Sequence, residues 1–363
     1  MAVYCAIVED AVNNVDWNGT THWGVDATSD KYNPTFHATE GARDAQYTSV
    51  HATINAWEGV RDGVASGDDE YGIVQGLWDN DDTNTFDIIG WTATSITIKA
   101  MGQARHAGVW DDGADSPHRV VVTDNGYVTI ALEDNITYDG LQVHNTQASD
   151  SSNSCIRIAD QGIVVRECIL NAADSGGEGI DMNSAGVDGK VYNTVIYRSP
   201  ESTDGEGIYC DNGDNLDVYN CTIYGFAQGC ERDAGTMTVT NTISFNNGTD
   251  FDGTITVDYC GSDDDTGTNS QTPSGGNWAN EMTNYATYDF TLDGAGAMYN
   301  TGETDPSGDS ETLDITGATR TAPWSIGAFE YDVAPAAGII QHSSAYSMRR
   351  KKEQDGEHIP GMI

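Results

Sequence analysis

One short pattern recurs through the middle of the chain and limits its fold more than any other feature. Val165-Arg-Glu-Cys-Ile-Leu170, Val191-Tyr-Asn-Thr-Val-Ile196, Val218-Tyr-Asn-Cys-Thr-Ile223, Val239-Thr-Asn-Thr-Ile-Ser244 and Val257-Asp-Tyr-Cys-Gly-Ser262 align without gaps, and Ile136-Thr-Tyr-Asp-Gly-Leu141 is a looser copy. A repeat of roughly 18 to 27 residues is the length of one solenoid coil. Apolar residues alternate inside each copy at the period of a strand, so equivalent side chains lie about 4.8 Å apart in successive coils. The pattern predicts a parallel β-helix with Val191, Val218 and Val239 pointing inward. Asn193, Asn220 and Asn241 then form a ladder at a bend, because asparagine tolerates left-handed backbone and its amide can bond the rungs above and below.

A second register precedes the first. Gly177-Glu-Gly-Ile-Asp181 matches Gly205-Glu-Gly-Ile-Tyr209, flanked by Ser154-Cys-Ile-Arg157 and Gln228-Gly-Cys-Glu231. It predicts two outward columns, Ser154, Glu178, Glu206, Gln228 and Arg157, Asp181, Tyr209, Glu231. Carboxylates stacked at strand spacing repel unless a cation or proton lies between them. Arg157, Glu178, Asp181, Glu206 and Glu231 are therefore the candidate catalytic or binding residues, with Asp211 beside them.

Both ends of a coil stack need covers. In residues 48–60, Val50, Ile54, Trp57 and Val60 recur at helical spacing, which predicts an N-terminal capping helix started by Thr48 or Ser49. Strands are expected near 71–74, 86–89, 96–100, 120–122 and 128–131, and a loop over 262–276.

The 363 residues carry 57 Asp plus Glu against 16 Lys plus Arg, a formal charge of −41. Such a surface repels phosphate backbones, and its clustered cations are confined to Arg349, Arg350, Lys351 and Lys352, so nucleic acid is not expected as a partner. No apolar run is long enough for a membrane helix of about 20 residues. The opening residues lack the basic region of a Sec signal peptide. Self-repulsion points to saline or calcium-containing surroundings. Asp79, Asp81, Asp111 and Asp115 lie in Asp-rich loops and are candidate Ca²⁺ ligands, although none fits a full EF-hand loop. The seven cysteines show no Cys-x-x-Cys pair; Cys168, Cys221 and Cys260 alternate with Thr194 and Thr242 down one column, which predicts buried free thiols. His106 with Trp110 is read as part of the coil packing.

Gln46-Tyr-Thr-Ser-Val, Ala56-Trp-Glu, Ile89-Gly-Trp, Ile96-Thr-Ile, Arg105-His-Ala-Gly-Val-Trp110, Val128-Thr-Ile and Tyr138-Asp-Gly-Leu-Gln-Val143 follow one another in order. This order resembles the opening of a large group of right-handed parallel β-helix proteins of bacteria and phages, pectate-lyase-like in fold and mostly without assigned activity. Leu313-Asp-Ile-Thr-Gly-Ala-Thr-Arg320 with Ile326-Gly-Ala-Phe-Glu-Tyr331 resembles their closing segment, departing at Ser325, where an Asp is common. The resemblance implies an all-β, right-handed parallel β-helix over 46–331; it does not cover the N-terminal segment 1–45, read as a docking or capping segment, or the tail 332–363. It also implies that any activity uses the outer face of one sheet, with Ca²⁺ and a proton-abstracting Arg or Lys, or with paired carboxyls.

Two functions stay open. One is a non-catalytic structural or adhesive protein of a phage virion, as capsid decoration, fibre or tail spike, with virion proteins, polysaccharide and copies of itself, as in a trimer, as candidate partners. A virion or extracellular surface without a Sec signal fits free cysteines, because phage proteins fold in a reducing cytoplasm. The alternative is a polysaccharide lyase or glycoside hydrolase acting on an acidic polysaccharide; no Asp-Asp or Arg-x-Pro-x-x-Arg signature supports it.

Overall fold

The computed structural model describes residues 2–331 except 10–14, 18–19, 64–66, 114, 124–125, 148–152, 173–175, 200–203, 213–214, 295 and 309–311; of 15–17, 20 and 21 it describes the backbone alone. The tail expected over 332–363, with its basic cluster, lies outside the described residues. Among those described, no helix is long and apolar enough to cross a membrane.

The chain winds into a right-handed parallel β-helix of three sheets with ten, six and seven strands. One full coil shows how the repeat builds it. Glu178–Met182 lies in the third sheet, Asp188–Tyr192 in the first and Val195–Arg198 in the second, before a loop returns the chain to the third sheet at Glu206–Cys210. Val165, Val191, Val218, Val239 and Val257 pair in register down the first sheet and are all buried. Leu170, Ile196 and Ile223 form the matching column of the second sheet, and Ile156, Ile180 and Ile208 that of the third. The three columns meet in one continuous apolar core. The second-sheet column ends at Ser244, whose hydroxyl donates to the Asp250 carbonyl at 3.1 Å and so remains satisfied without water.

The bend between the first and second sheets carries the asparagines. Asn193, Asn220 and Asn241 adopt φ of 49°, 53° and 51°, and Glu167 and Tyr259 occupy the same left-handed position in the flanking coils. All three asparagines are buried, but the expected ladder holds only in part. The Asn241 amide donates to Asn220 Oδ1 at 3.2 Å, and its other bonds run sideways, to the Glu303 carbonyl and from the Glu303 N–H, each at 2.7 Å. Asn193 donates to the Leu313 carbonyl at 2.9 Å and accepts from Arg320 at 3.0 Å. The bend is thus a docking strip for the closing segment, because amides at the outer edge of a bend meet polar backbone there as readily as one another.

Where the strip begins, Glu167 replaces asparagine and anchors a buried charge network. Arg105 donates to both Glu167 and Asp139, Lys31 reaches Glu167 at 2.6 Å, and Arg166 reaches Asp139 at 2.8 Å. The surrounding cations outweigh burial and hold the Asp139 carboxyl well below its ordinary range. His106 lies in the same layer, bonded through Nε2 to the Glu167 carbonyl at 2.7 Å; burial and the Arg105 charge lower it to about 3, so the ring stays neutral and serves packing.

The strand near the start of the chain is part of the coils. Val3–Ile7 inserts into the first sheet between Asp69–Val74 and Ser49–His51, parallel to both. That pairing corrects the helix boundary, because Ser49–His51 is drawn out as a strand. The helix spans Ile54–Arg61, capped by the Thr53 hydroxyl on the Ala56 N–H. Ile54 and Trp57 cover the N-terminal end, whereas Val50 and Val60, expected on the same face, are exposed. At the other end the chain turns back after Cys260, and Trp278, Phe290, Met298, Ile315 and Phe329 cover the outer face of the second sheet. Ser325 closes this segment without an Asp, since its N–H and hydroxyl both donate to Glu330 at 3.0 Å.

Candidate functional site

The third sheet turns its outer face toward solvent, and its register places the acidic residues side by side. Ser154 pairs with Glu178, and Glu206 with Gln228; Arg157 pairs with Asp181, which pairs with Tyr209, then Glu231, then Asp252. Strict alternation with the inward Ile180, Ile208 and Cys230 would turn Gly179, Gly207 and Gly229 outward, yet a Cβ at each would lie within 2.2, 2.4 and 2.0 Å of core side chains, so the strands depart from alternation here. Glycine at these positions lets the strands approach the core while Glu178 and Glu206 stay on the outer face.

The third sheet brings Arg157, Glu178, Asp181, Glu206 and Glu231 together on one face. Arg157 is held firmly: one Nη donates to Tyr127, over whose ring the guanidinium lies at 4.8 Å, the other donates to Asn183 Oδ1 at 2.6 Å, and Nε faces Asp181 at 3.7 Å. Glu178 is 7% exposed, and burial, with repulsion from Asp181 and Glu206, raises its carboxyl to about 9. Burial raises Asp181 to about 6, against the pull of Arg157. Glu206 is raised to about 7 by burial and by Glu231, with which it shares a hydrogen bond. The buried Arg198, bonded to the Gly177 carbonyl at 2.7 Å, favours ionisation of both glutamates without overcoming their desolvation. Stacked acids here meet their mutual repulsion by keeping protons.

Asp250, one coil beyond, went unnoticed in the sequence. Burial raises it to about 7, while it accepts bonds from Asn247 at 3.0 Å and the Asp263 N–H at 2.8 Å. The signal was available as the aligned Thr249-Asp-Phe-Asp252, in which Asp250 takes the inward place of Gly229.

The four calcium candidates do not assemble. Asp81 accepts from Arg119 Nε at 2.5 Å, Asp111 caps the Gly113 N–H at 3.1 Å, and Asp115 is exposed at a left-handed turn. Backbone N–H groups at 79 and 80 donate to Glu9 instead of turning the loop around an ion. Among the described residues no three acidic, histidine or cysteine side chains converge as a metal site. Arg119 instead bridges the two loops, through Nε to the Asp81 carboxylate and through Nη1 to the Asp111 carbonyl, a contact that composition alone does not reveal.

The pairing of the strands defines the fold. The chain is similar to a solved structure, that of pectate lyase Pel9A. The match has 12% identity and a TM-score of 0.35, and covers 72% of this chain and 88% of that one. No family model and no curated protein matches the chain.

Proposed function

We propose that the protein is a non-catalytic, adhesive β-helix of a virion or comparable exposed surface that binds polysaccharide along the acidic face of its third sheet. The observation that carries this reading is the row of proton-retaining carboxyls, Glu178 at about 9 and Glu206 at about 7, on adjacent rungs. A neutral carboxyl both donates and accepts, as a sugar hydroxyl does; Tyr209, whose hydroxyl donates to Asp233 at 3.1 Å, extends the row with an acceptor. Arg157 supports binding over proton abstraction, since Tyr127, Asn183 and Asp181 already occupy its guanidinium. All seven cysteines are buried and free, which favours folding in a reducing compartment, as virion proteins do. Other virion proteins and further copies of the chain are the partners this role calls for.

A specific observation favours glycoside hydrolysis as the second reading. Glu178 at about 9 stands beside Asp181 at about 6, and two neighbouring carboxyls with separated values suit an acid and a base. A panel of neutral and acidic polysaccharides separates the two, scored for binding and for new reducing ends or unsaturated products. Adhesion gives binding that Arg157→Ala weakens, with no product. Turnover that Glu178→Gln abolishes would establish the hydrolase instead.

A further inference from the structure

The closing segment covers only part of the second sheet, and where it stops an open cleft of about 470 Å³ remains. Its floor is one outward column, Val121, His144, Asn171 and Tyr197, in register on neighbouring strands. The same column continues as Tyr224 and Phe245, which the closing segment buries. Tyr288 of that segment forms one wall, its ring 4.9 Å from that of Tyr197, and Trp110 forms another, edge-on to His144 at 5.7 Å.

Two polar groups in this cleft have a hydrogen-bonding atom with no partner among the described residues. Asn171 is 5% exposed, yet its Oδ1 has no hydrogen-bond partner among the described residues. A buried acceptor left in this state calls for a donor from outside the protein. Arg119 is fixed from behind, through Nε to Asp81 at 2.5 Å and Nη1 to the Asp111 carbonyl at 2.8 Å, and among the described residues its Nη2 has no partner. The cleft therefore offers an acceptor, a rigid donor and half-buried aromatic surface from Trp110 and Tyr288. Its volume falls in the range of about 300 to 1,000 Å³ usual for small-molecule sites.

We propose that this cleft is a second carbohydrate site, distinct from the acidic face, that takes a neutral sugar ring. The apolar face of the ring lies against Trp110, one hydroxyl donates to Asn171 Oδ1, and another oxygen accepts from Arg119. Aromatic surfaces with a polar rim suit such amphipathic ligands. Charge selects the neutral ring: Asp81 and Asp112 line the cleft with the single cation Arg119, so a carboxylated sugar meets net repulsion.

The test is saturation-transfer NMR and titration of the full chain with methyl glucoside, methyl galactoside, glucuronate and a lysine tripeptide. We expect a neutral glycoside to bind, glucuronate to bind more weakly, and Trp110→Ala and Asn171→Ala each to weaken the glycoside by about tenfold or more. Asn171→Ala should keep the melting temperature, because no protein group depends on Oδ1. A shift of the Trp110 indole signal on adding the glycoside, lost in Asn171→Ala, keeps this site separable from the acidic face. Glycoside binding that survives both cleft variants, preference for glucuronate or for the peptide, or no binding by the unmodified protein would each overturn the proposal.

Discussion

Replacing Glu178 by glutamine tests whether the acidic face is kept folded by protons. The carboxyl is raised from 4.5 to about 9, first by burial and then by Asp181 and Glu206. Above the ordinary carboxyl value the folded protein holds a proton that the unfolded chain has released. Stability from this group is therefore complete below pH 4.5 and falls as pH rises toward 9. Each pH unit is worth about 1.4 kcal/mol, so at pH 7 the cost is about 3 kcal/mol, and about 2 after allowing for solvent reaching the outer oxygen. Glutamine has the shape of the protonated acid and no proton to lose. Urea unfolding of both proteins from pH 4.5 to 9 should give equal stabilities at the acid end and an advantage for Glu178→Gln of about 2 to 3 kcal/mol at pH 7. Some slope remains in the variant, because Asp181 and Glu206 are raised as well. A difference that does not change with pH, or a variant less stable than the parent at pH 8, would refute the reasoning.

Asn241→Ala should cost about 2 to 4 kcal/mol by denaturant unfolding, since it loses bonds to Asn220 and Glu303 and puts alanine in left-handed backbone. Asn220→Ala, with fewer bonds, should cost less, about 1 to 3 kcal/mol; equal losses would show that the closing segment does not dock there. Arg105→Met should destabilise by about 3 to 5 kcal/mol, because Glu167 and Asp139 would lose their shared cation, and a neutral effect would deny the network its role. A thiol reagent should label none of the seven cysteines in the native protein and all of them in urea, as burial pushes Cys155, Cys168, Cys221 and Cys260 up to about 12; an intact mass showing any disulfide would contradict it.

The coils were legible because strand stacking is itself periodic. Val191, Val218 and Val239 recur, and so do Glu178 and Glu206, so the core column and the acidic row could both be placed from spacing. The contacts that pass between coils and ends have no period to betray them. Lys31 meets Glu167 across 136 residues and Arg320 meets Asn193 across 127, pairs that only the folded chain brings together. The helix start was missed for a related reason: Ser49 is a fit N-cap locally, but the distant Val3–Ile7 claims it as a strand partner. Proton retention by Glu178 depends on how deeply the face is buried, and a list of carboxylates cannot supply that. The cleft beside Trp110 arises from how far the closing segment reaches, which the sequence alone leaves open.

The central claim is that the third sheet holds a glycan without cutting it. A crystal structure of the unmodified protein with an oligosaccharide selected from the polysaccharide panel tests it directly. The account predicts an intact chain lying along Arg157, Asp181, Tyr209 and Glu231, with hydroxyls on Glu178 and Glu206. A cleaved product on that face, or an oligosaccharide bound only elsewhere, would contradict it.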